Sequence, residues 1–419
     1  MKQTQAPYPR CANWWHDWAL LRRFVSDLMH AELLMMRRGS AGLPSLPWVD
    51  GLKLEADLGI DSLERYTLAT ALSACLHLHE SGADQALLGC TTLEQWIACA
   101  SNGLDQYSAA QSFTSSGSSG VPKSCPHNLD MLWQEACFFA AQLTQTRRVL
   151  YTVPAHHIYG FLFSVLLPLA CGPVRASLVD ARNMLPMELI AQATDGDVII
   201  GYPELWSAVA RHAPIWPNGV TGVTSTAPCP PDLALQLTAS GLSMVEVYGS
   251  SESAGVGWRT DARRPYVLLP HWRRSASGDT LLRQVPDGTE LRCDCPDQID
   301  WQGENDFVPV GRRDQAVQVG GTNVYPAQVA EVLKRHPGVS EAHVRLMRAD
   351  EGQRLKAFVV AAHFGGSERL PDQLASWVRE RLPPAARPVS FTVGAALPVN
   401  RQGKPSDWII SDGPWADEA

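Results

Sequence analysis

The texture of this chain changes twice, and those changes limit the fold more than any single motif does. From residue 14 to about 100, apolar side chains recur at three- and four-residue spacing: Trp18, Leu21, Phe24, Val25 and Leu28, then Leu63, Tyr66, Leu68 and Leu72. A stripe of that period turns one helix face toward a core, so a small helical bundle is expected. Ser101-Asn102-Gly103 closes it. Strand-like apolar runs come next, at Val149 to Val153 and Val198 to Ile200, alternating with amphipathic stretches such as Glu204 to Arg211. That alternation predicts an α/β sheet domain. Near Gly311 the pattern changes again: a hairpin-like segment from Ala316 to Val324, a helix opened by Pro326 and running to about His336, and strands at Glu341 to Arg345 and Leu355 to Ala361. These predict a small α+β domain. The expected division is 14–102, 103–311 and 312–419.

Composition excludes several classes. The 35 basic and 43 acidic residues give a formal charge of −8, and no Lys/Arg block is long enough to follow a phosphate backbone, so nucleic acid is not an expected partner. The longest greasy run, Phe161 to Val174, is too short to span a bilayer and contains Pro168, and MKQTQAPYPR lacks the apolar core of a signal peptide. A soluble, cytoplasmic protein is expected. The ten cysteines form no C-x-x-C pair, and the close pair Cys293 and Cys295 has no histidine cluster beside it, so reduced, mostly buried thiols are expected.

Ser115-Ser116-Gly117-Ser118-Ser119-Gly120-Val121-Pro122-Lys123 is a run of hydroxyl and glycine residues ending in a cation. Nothing larger than serine blocks approach to the backbone of its first six residues, so amides, hydroxyls and one ammonium are all available to a polyphosphate. By itself the run also reads as a flexible Ser/Gly linker. Four downstream motifs narrow the choice: Tyr248-Gly249-Ser250-Ser251-Glu252, Gly311-Arg312-Arg313-Asp314, Gly320-Gly321 with Tyr325-Pro326, and Leu397-Pro398 with Gly403-Lys404.

In order and spacing, from about residue 103 to 410, these motifs resemble the adenylate-forming (ANL) superfamily of acyl- and aryl-CoA synthetases, acyl-carrier-protein ligases, luciferases and peptide-synthetase adenylation domains. The resemblance implies that a carboxylic acid is activated with ATP and Mg²⁺ to an acyl-AMP and then passed to a thiol, on CoA or on a carrier protein. It makes Ser115 to Lys123 the phosphate loop and Glu252 the Mg²⁺ ligand, a role that suits a hard carboxylate oxygen. Asp297 falls where the ribose-binding carboxylate is expected, although Cys-Pro-Asp stands for the usual Thr-Gly-Asp. Arg312 would contact the nucleotide, and Ser225, Thr226, Ala227 and Pro228, with Tyr248, Gly249 and Ser251, would flank it. Asp314 would be the hinge of the small domain, and Gly320-Gly321 would border the thiol channel. Lys404 would bridge the attacking carboxylate and the α-phosphate as charge shifts.

His156-His157 follows an apolar strand, and His157 matches the family's carboxylate-pocket position. Neighbouring strand side chains face opposite ways, which argues against one metal held by both. No carboxylate stands where amino-acid-activating relatives carry one, so an amine-free acid is expected, with an aromatic, hydroxybenzoate-like acid as the narrower expectation and pigment or polyketide synthesis as its setting.

Leu54 to Glu64, containing Asp61-Ser62-Leu63, resembles the phosphopantetheine attachment site of acyl carrier proteins, with Thr91 to Trp96 where a last carrier helix begins. That resemblance implies a carrier-like bundle with Ser62 bearing the arm and Leu58, Leu63 and Leu68 in its core; read plainly, Asp61 or Ser62 caps a helix. A carrier here leaves room only for an α/β core lacking most of its usual first subdomain. The contrasting reading is a catalytically silent, ligase-like scaffold that docks other synthases.

Overall fold

The structure, a computed structural model, describes residues 11–37, 42–115, 123–172, 175–276, 280–348, 350–362, 369–399 and 406–410. The chain forms two compact units, one built from 11–115, 124–295 and 300–308, the other from 296–299 and from 309 onward.

The first unit is organised by a sheet of nine strands among the described residues, of which the two at one edge, Asp297–Trp301 and Asp306–Arg312, include residues 297–299 and 309–312 of the second unit. Its order runs Asp297–Trp301, Asp306–Arg312, Tyr266–Leu268, Ala254–Arg259, Ser243–Ser250, Thr221–Thr224, Asp197–Gly201, Arg148–Tyr151, Ser177–Asp180. From Ser243–Ser250 to Ser177–Asp180 the pairing is parallel; Ala254–Arg259 and Tyr266–Leu268 extend it antiparallel. Helices Pro186–Gln192, Pro203–Ala210 and Pro231–Ala239 make the crossovers, each opened by a proline whose missing N–H costs nothing in a first turn. Asp197–Gly201 is buried along its whole length, as a central parallel strand covered on both faces must be. Trp206 fills the space over it, and a Cβ on Gly201 or Gly222 would come within 2.9 Å of that indole.

The helices of 14–106 fall within this same unit. Helix Trp18–Met36, capped by Asp17 accepting the Leu20 amide at 3.0 Å, turns Phe24 onto the Phe161 ring at 5.8 Å. Trp14 meets Phe161 edge-on at 5.1 Å. Asp61 and Glu64 close a capping box on helix Ser62–Leu76, and Arg37 clasps Glu64 at 2.7 and 2.6 Å. Leu58, Leu68 and Leu72 are buried, whereas Leu63 is 74% exposed and Tyr66 61%. Leu63 thus departs from its expected place in the core: the helix buries the Leu68, Leu72, Leu76 face and turns its first turn to solvent.

In the second unit, Val317–Val319 and Thr322–Val324 form the expected hairpin, with Gly320 and Gly321 at φ 56° and 72°. A two-residue turn with both central residues left-handed matches the twist of its strands, which is why two glycines stand there. Helices Pro326–Lys334 and Leu370–Arg381 cover a sheet of Val339–Leu346, Leu355–Ala361 and Ser390–Gly394 around Leu333, Val344, Leu355 and Leu374. Among the described residues no helix is long and apolar enough to cross a membrane.

Candidate active site

In open parallel sheets ligands bind beyond the carboxyl ends of the strands, and the first unit gathers its expected site residues there. After Thr221–Thr224 the chain turns through Ser225, Thr226, Ala227 and Pro228. Ser225 Oγ donates to the Val247 carbonyl at 2.8 Å, Thr226 holds φ 75°, and the Cys229 amide donates to Glu246 at 2.9 Å. Glu246 is buried and also takes the Tyr266 hydroxyl at 2.6 Å and Arg259 at 2.7 Å. A left-handed threonine is strained, and this fastening at both ends holds it in place.

Tyr248 lies against Phe307 at 5.3 Å and Tyr266 at 5.6 Å, which fixes its ring plane. The ladder then slips between Tyr248 and Gly249. A Cβ on Gly249 would meet the Ala254 carbonyl at 2.1 Å, so only glycine fits. Ser250 Oγ accepts the amides of Glu252 and Ser253 at 3.2 Å each, closing a tight turn, and His127 Nε2 donates to the Ser251 carbonyl at 2.7 Å. Burial lowers the His127 pKa, with Arg283 adding to that and the Ser251 carbonyl and Glu252 opposing it. The Glu252 carboxylate is partly exposed and accepts no hydrogen bond from any described residue. Mg²⁺ bound to a nucleotide takes one or two protein carboxylates and fills the rest of its shell with phosphate and water. A single open carboxylate on a rigid turn fits that demand, and no cluster of three or more His, Cys, Asp or Glu occurs among the described residues.

Behind this turn lies a buried pair that no sequence motif announces. Both Glu135 oxygens accept the Gly255 amide, at 3.1 and 3.0 Å, and Arg283 approaches to 3.9 Å while donating to the carbonyls of Met131 and Ser253. Burial pushes Glu135 up to about 7 against the pull of Arg283, and lowers Arg283 to about 10.

His157 begins the helix after strand Arg148–Tyr151. Its ring packs on His156 at 4.2 Å and stays open to solvent, although surrounding protein lowers its pKa and Asp27 opposes that.

In the second unit Arg312 donates to Asp314 at 3.0 and 2.7 Å and lies 3.7 Å from Asp297. The Tyr325 hydroxyl adds a bond to Asp314 at 3.0 Å, and Arg312 first among these partners holds the Asp314 carboxyl at about 2. Asp297, Arg312 and Asp314 thus form one cluster. Ser115 ends strand Ala110–Ser115 and Lys123 opens Lys123–Asn128; Ser116, Gly117, Ser118, Ser119, Gly120 and Lys404 lie outside the described residues.

The described site residues are thus a strained small-residue turn and an open carboxylate at the strand ends of the first unit, and an Asp–Arg–Asp cluster in the second. The chain belongs to the AMP-binding enzyme family, whose main domain matches residues 62–285 and whose C-terminal domain matches 328–404. The main-domain match starts at Ser62, inside the stretch that resembles a carrier. A 4-coumarate--CoA ligase of Halorhodospira halophila is 36% identical over 91% of this chain and 97% of its own, and one of Rhodobacter capsulatus is 36% identical over 93% and 100%. Among solved structures, an amide bond synthetase from Marinactinospora thermotolerans matches with a TM-score of 0.57 at 18% identity, covering 92% of each chain, so the fold extends over nearly the whole length. The protein is an AMP-forming ligase.

Proposed function

We propose that this ligase activates a hydroxylated aryl-propenoic acid of the 4-coumarate kind with ATP and Mg²⁺ and transfers it to the thiol of CoA. The observation that carries this is the similarity, over nearly full length, to ligases named for 4-coumarate and CoA. It replaces the narrower hydroxybenzoate expectation with a longer aromatic acid. The absence of a carboxylate from the family's amine-binding position agrees with an amine-free acid.

In the first step an oxygen of the acid attacks the α-phosphorus, and pyrophosphate leaves with the electron pair of the broken P–O bond. Ser115 to Lys123 would cradle the leaving phosphates, Lys404 would stabilise charge at the α-phosphate, and Asp297 and Arg312 would hold the nucleoside. Glu252 would hold Mg²⁺, which neutralises phosphate charge. His157 would face the acid. In the second step the thiolate attacks the acyl carbon and AMP leaves; rotation about Asp314 would exchange Lys404 for the Gly320-Gly321 hairpin beside the intermediate.

ATP/pyrophosphate exchange against a panel of cinnamic, benzoic and aliphatic acids, followed by thioester formation with CoA, tests the proposal. Exchange with 4-coumarate far above benzoates supports it, and exchange confined to benzoates overturns it.

A second acceptor retains one observation in its favour. Ser62 is exposed at the first position of its helix, where a phosphopantetheine arm would need it, and a carrier role would fit pigment or polyketide synthesis. Intact mass after treatment with a phosphopantetheinyl transferase and CoA separates the two: one pantetheine mass, absent in Ser62→Ala, favours the carrier, and an unmodified mass beside a converted control leaves CoA.

A further inference from the structure

Helix Trp18–Met36 carries two charged side chains in its buried face, Arg23 at 9% exposure and Asp27 at 2%. Charges in such a place cost stability unless they are paired. Four residues apart, they project from the same side of the helix. Asp27 Oδ2 accepts the Ala155 amide at 2.8 Å, while Oδ1 takes Arg182, itself held by Asp180. Arg23 lies over the Tyr151 ring at 4.1 Å and donates to the carbonyl and hydroxyl of Ser164, whose Oγ donates in turn to the Gly160 carbonyl at 2.6 Å.

The receiving residues bracket one segment. Ala155 stands two positions before His157, and Ser164 lies in the π-helical turn Leu162–Leu166 that continues the helix begun by His157. Such π-helical turns are rare and often stand at functional sites. The segment is also folded tightly on itself, since a Cβ on Gly160 would meet the Pro154 carbonyl at 1.9 Å. Position 157 lies between two residues, 155 and 164, that one helix holds, while the Tyr159 hydroxyl fastens the far side of the turn to the carbonyls of Gly201 and Val223.

We propose that Asp27 is a positioning residue for acid binding: through the Ala155 amide it fixes the turn that presents His157 to the substrate, so the N-terminal helix is part of the acid pocket's scaffold. This rests on the proposed placement of His157 against the acid. Asp27 touches no substrate.

The test measures KM for 4-coumarate, ATP and CoA separately in the full chain. Asp27→Ala leaves the Ala155 amide without its acceptor and is expected to raise the 4-coumarate KM about tenfold, with the ATP KM within about twofold of wild type. Asp27→Asn keeps an acceptor for that amide and is expected to recover most of the loss. In a His157→Ala background, Asp27→Ala should add little, because one side chain acts through the other. Should Asp27→Ala fold too poorly to assay, Arg182→Lys, which loosens the grip on Asp27, should show the same split between the two KM values. Parallel rises in all three KM values, or full additivity with His157→Ala, would overturn the proposal and leave Asp27 a stabilising residue. An unchanged 4-coumarate KM in His157→Ala would overturn the placement of His157 itself and the inference with it.

Discussion

The Lys356 ammonium, fully buried, lies 2.8 Å from the Asp407 carboxylate, three residues beyond Lys404. Glu351 and the Trp408 carbonyl, each at 2.7 Å, complete its shell, so the chain just past the Gly403-Lys404 motif is pinned to strand Leu355–Ala361. Lys356→Met removes the cation that joins these groups and should lower the stability of the second unit in urea titration.

Lys404→Ala should abolish acyl-AMP formation, measured by pyrophosphate exchange, while thioester formation from supplied acyl-AMP persists. A side chain that stabilises charge in only one transition state affects only that step. Loss of both half-reactions with the fold intact would remove Lys404 from this role.

Asp314→Pro should trap adenylate and selectively slow thioester formation. The neighbouring Gln315 holds φ 60°, a conformation costly for a residue with a side chain, so backbone strain sits beside the expected pivot. Rapid-quench measurement of bound acyl-AMP reads the outcome, and an equal fall in adenylation would argue against rotation there.

Gly249→Ala should reduce pyrophosphate exchange about a hundredfold, because the new methyl and the Ala254 carbonyl cannot share the space and the Glu252 turn must shift by a fraction of an ångström or more. Circular dichroism close to wild type would locate the damage at the site rather than in the fold.

Glu135 makes stability depend on pH. Its pKa rises on folding from 4.5 to about 7, so the native state favours the neutral acid. The stability it contributes is complete below about 4.5 and is lost as pH climbs through 7. Glu135→Gln should flatten this slope, narrowing any stability deficit relative to wild type between pH 5 and pH 8 in chemical denaturation. A deficit that stays constant over that range would count against titration of Glu135.

The family resemblance is legible in the sequence because its motifs, each a short local pattern ambiguous alone, recur in a fixed order and spacing. The 320–321 turn and helix Pro326–Lys334 are legible because their backbone requirements are written in adjacent residues. The three- and four-residue periodicity reveals that helix Trp18–Met36 has a buried face but not what lies against it, and so the stretch reads as a separate bundle. The available signal is Arg23 and Asp27, two charges inside the apolar stripe, which require partners elsewhere. Glu135 with Arg283 and His127 with Ser251 leave no local trace, because each pair meets only after the sheet has formed.

The lateness of those meetings bears on how the chain is made. Helix Trp18–Met36 is made well before its partners: Asp27 must wait through 128 further residues for Ala155 and Arg23 through 141 for Ser164. Until then Phe24 lacks its Phe161 contact, and two charges have no counterpart. Contacts of such long sequence separation form slowly and leave apolar surface open meanwhile. Its two buried charges therefore find their partners only after the chain around Ala155 and Ser164 has been made.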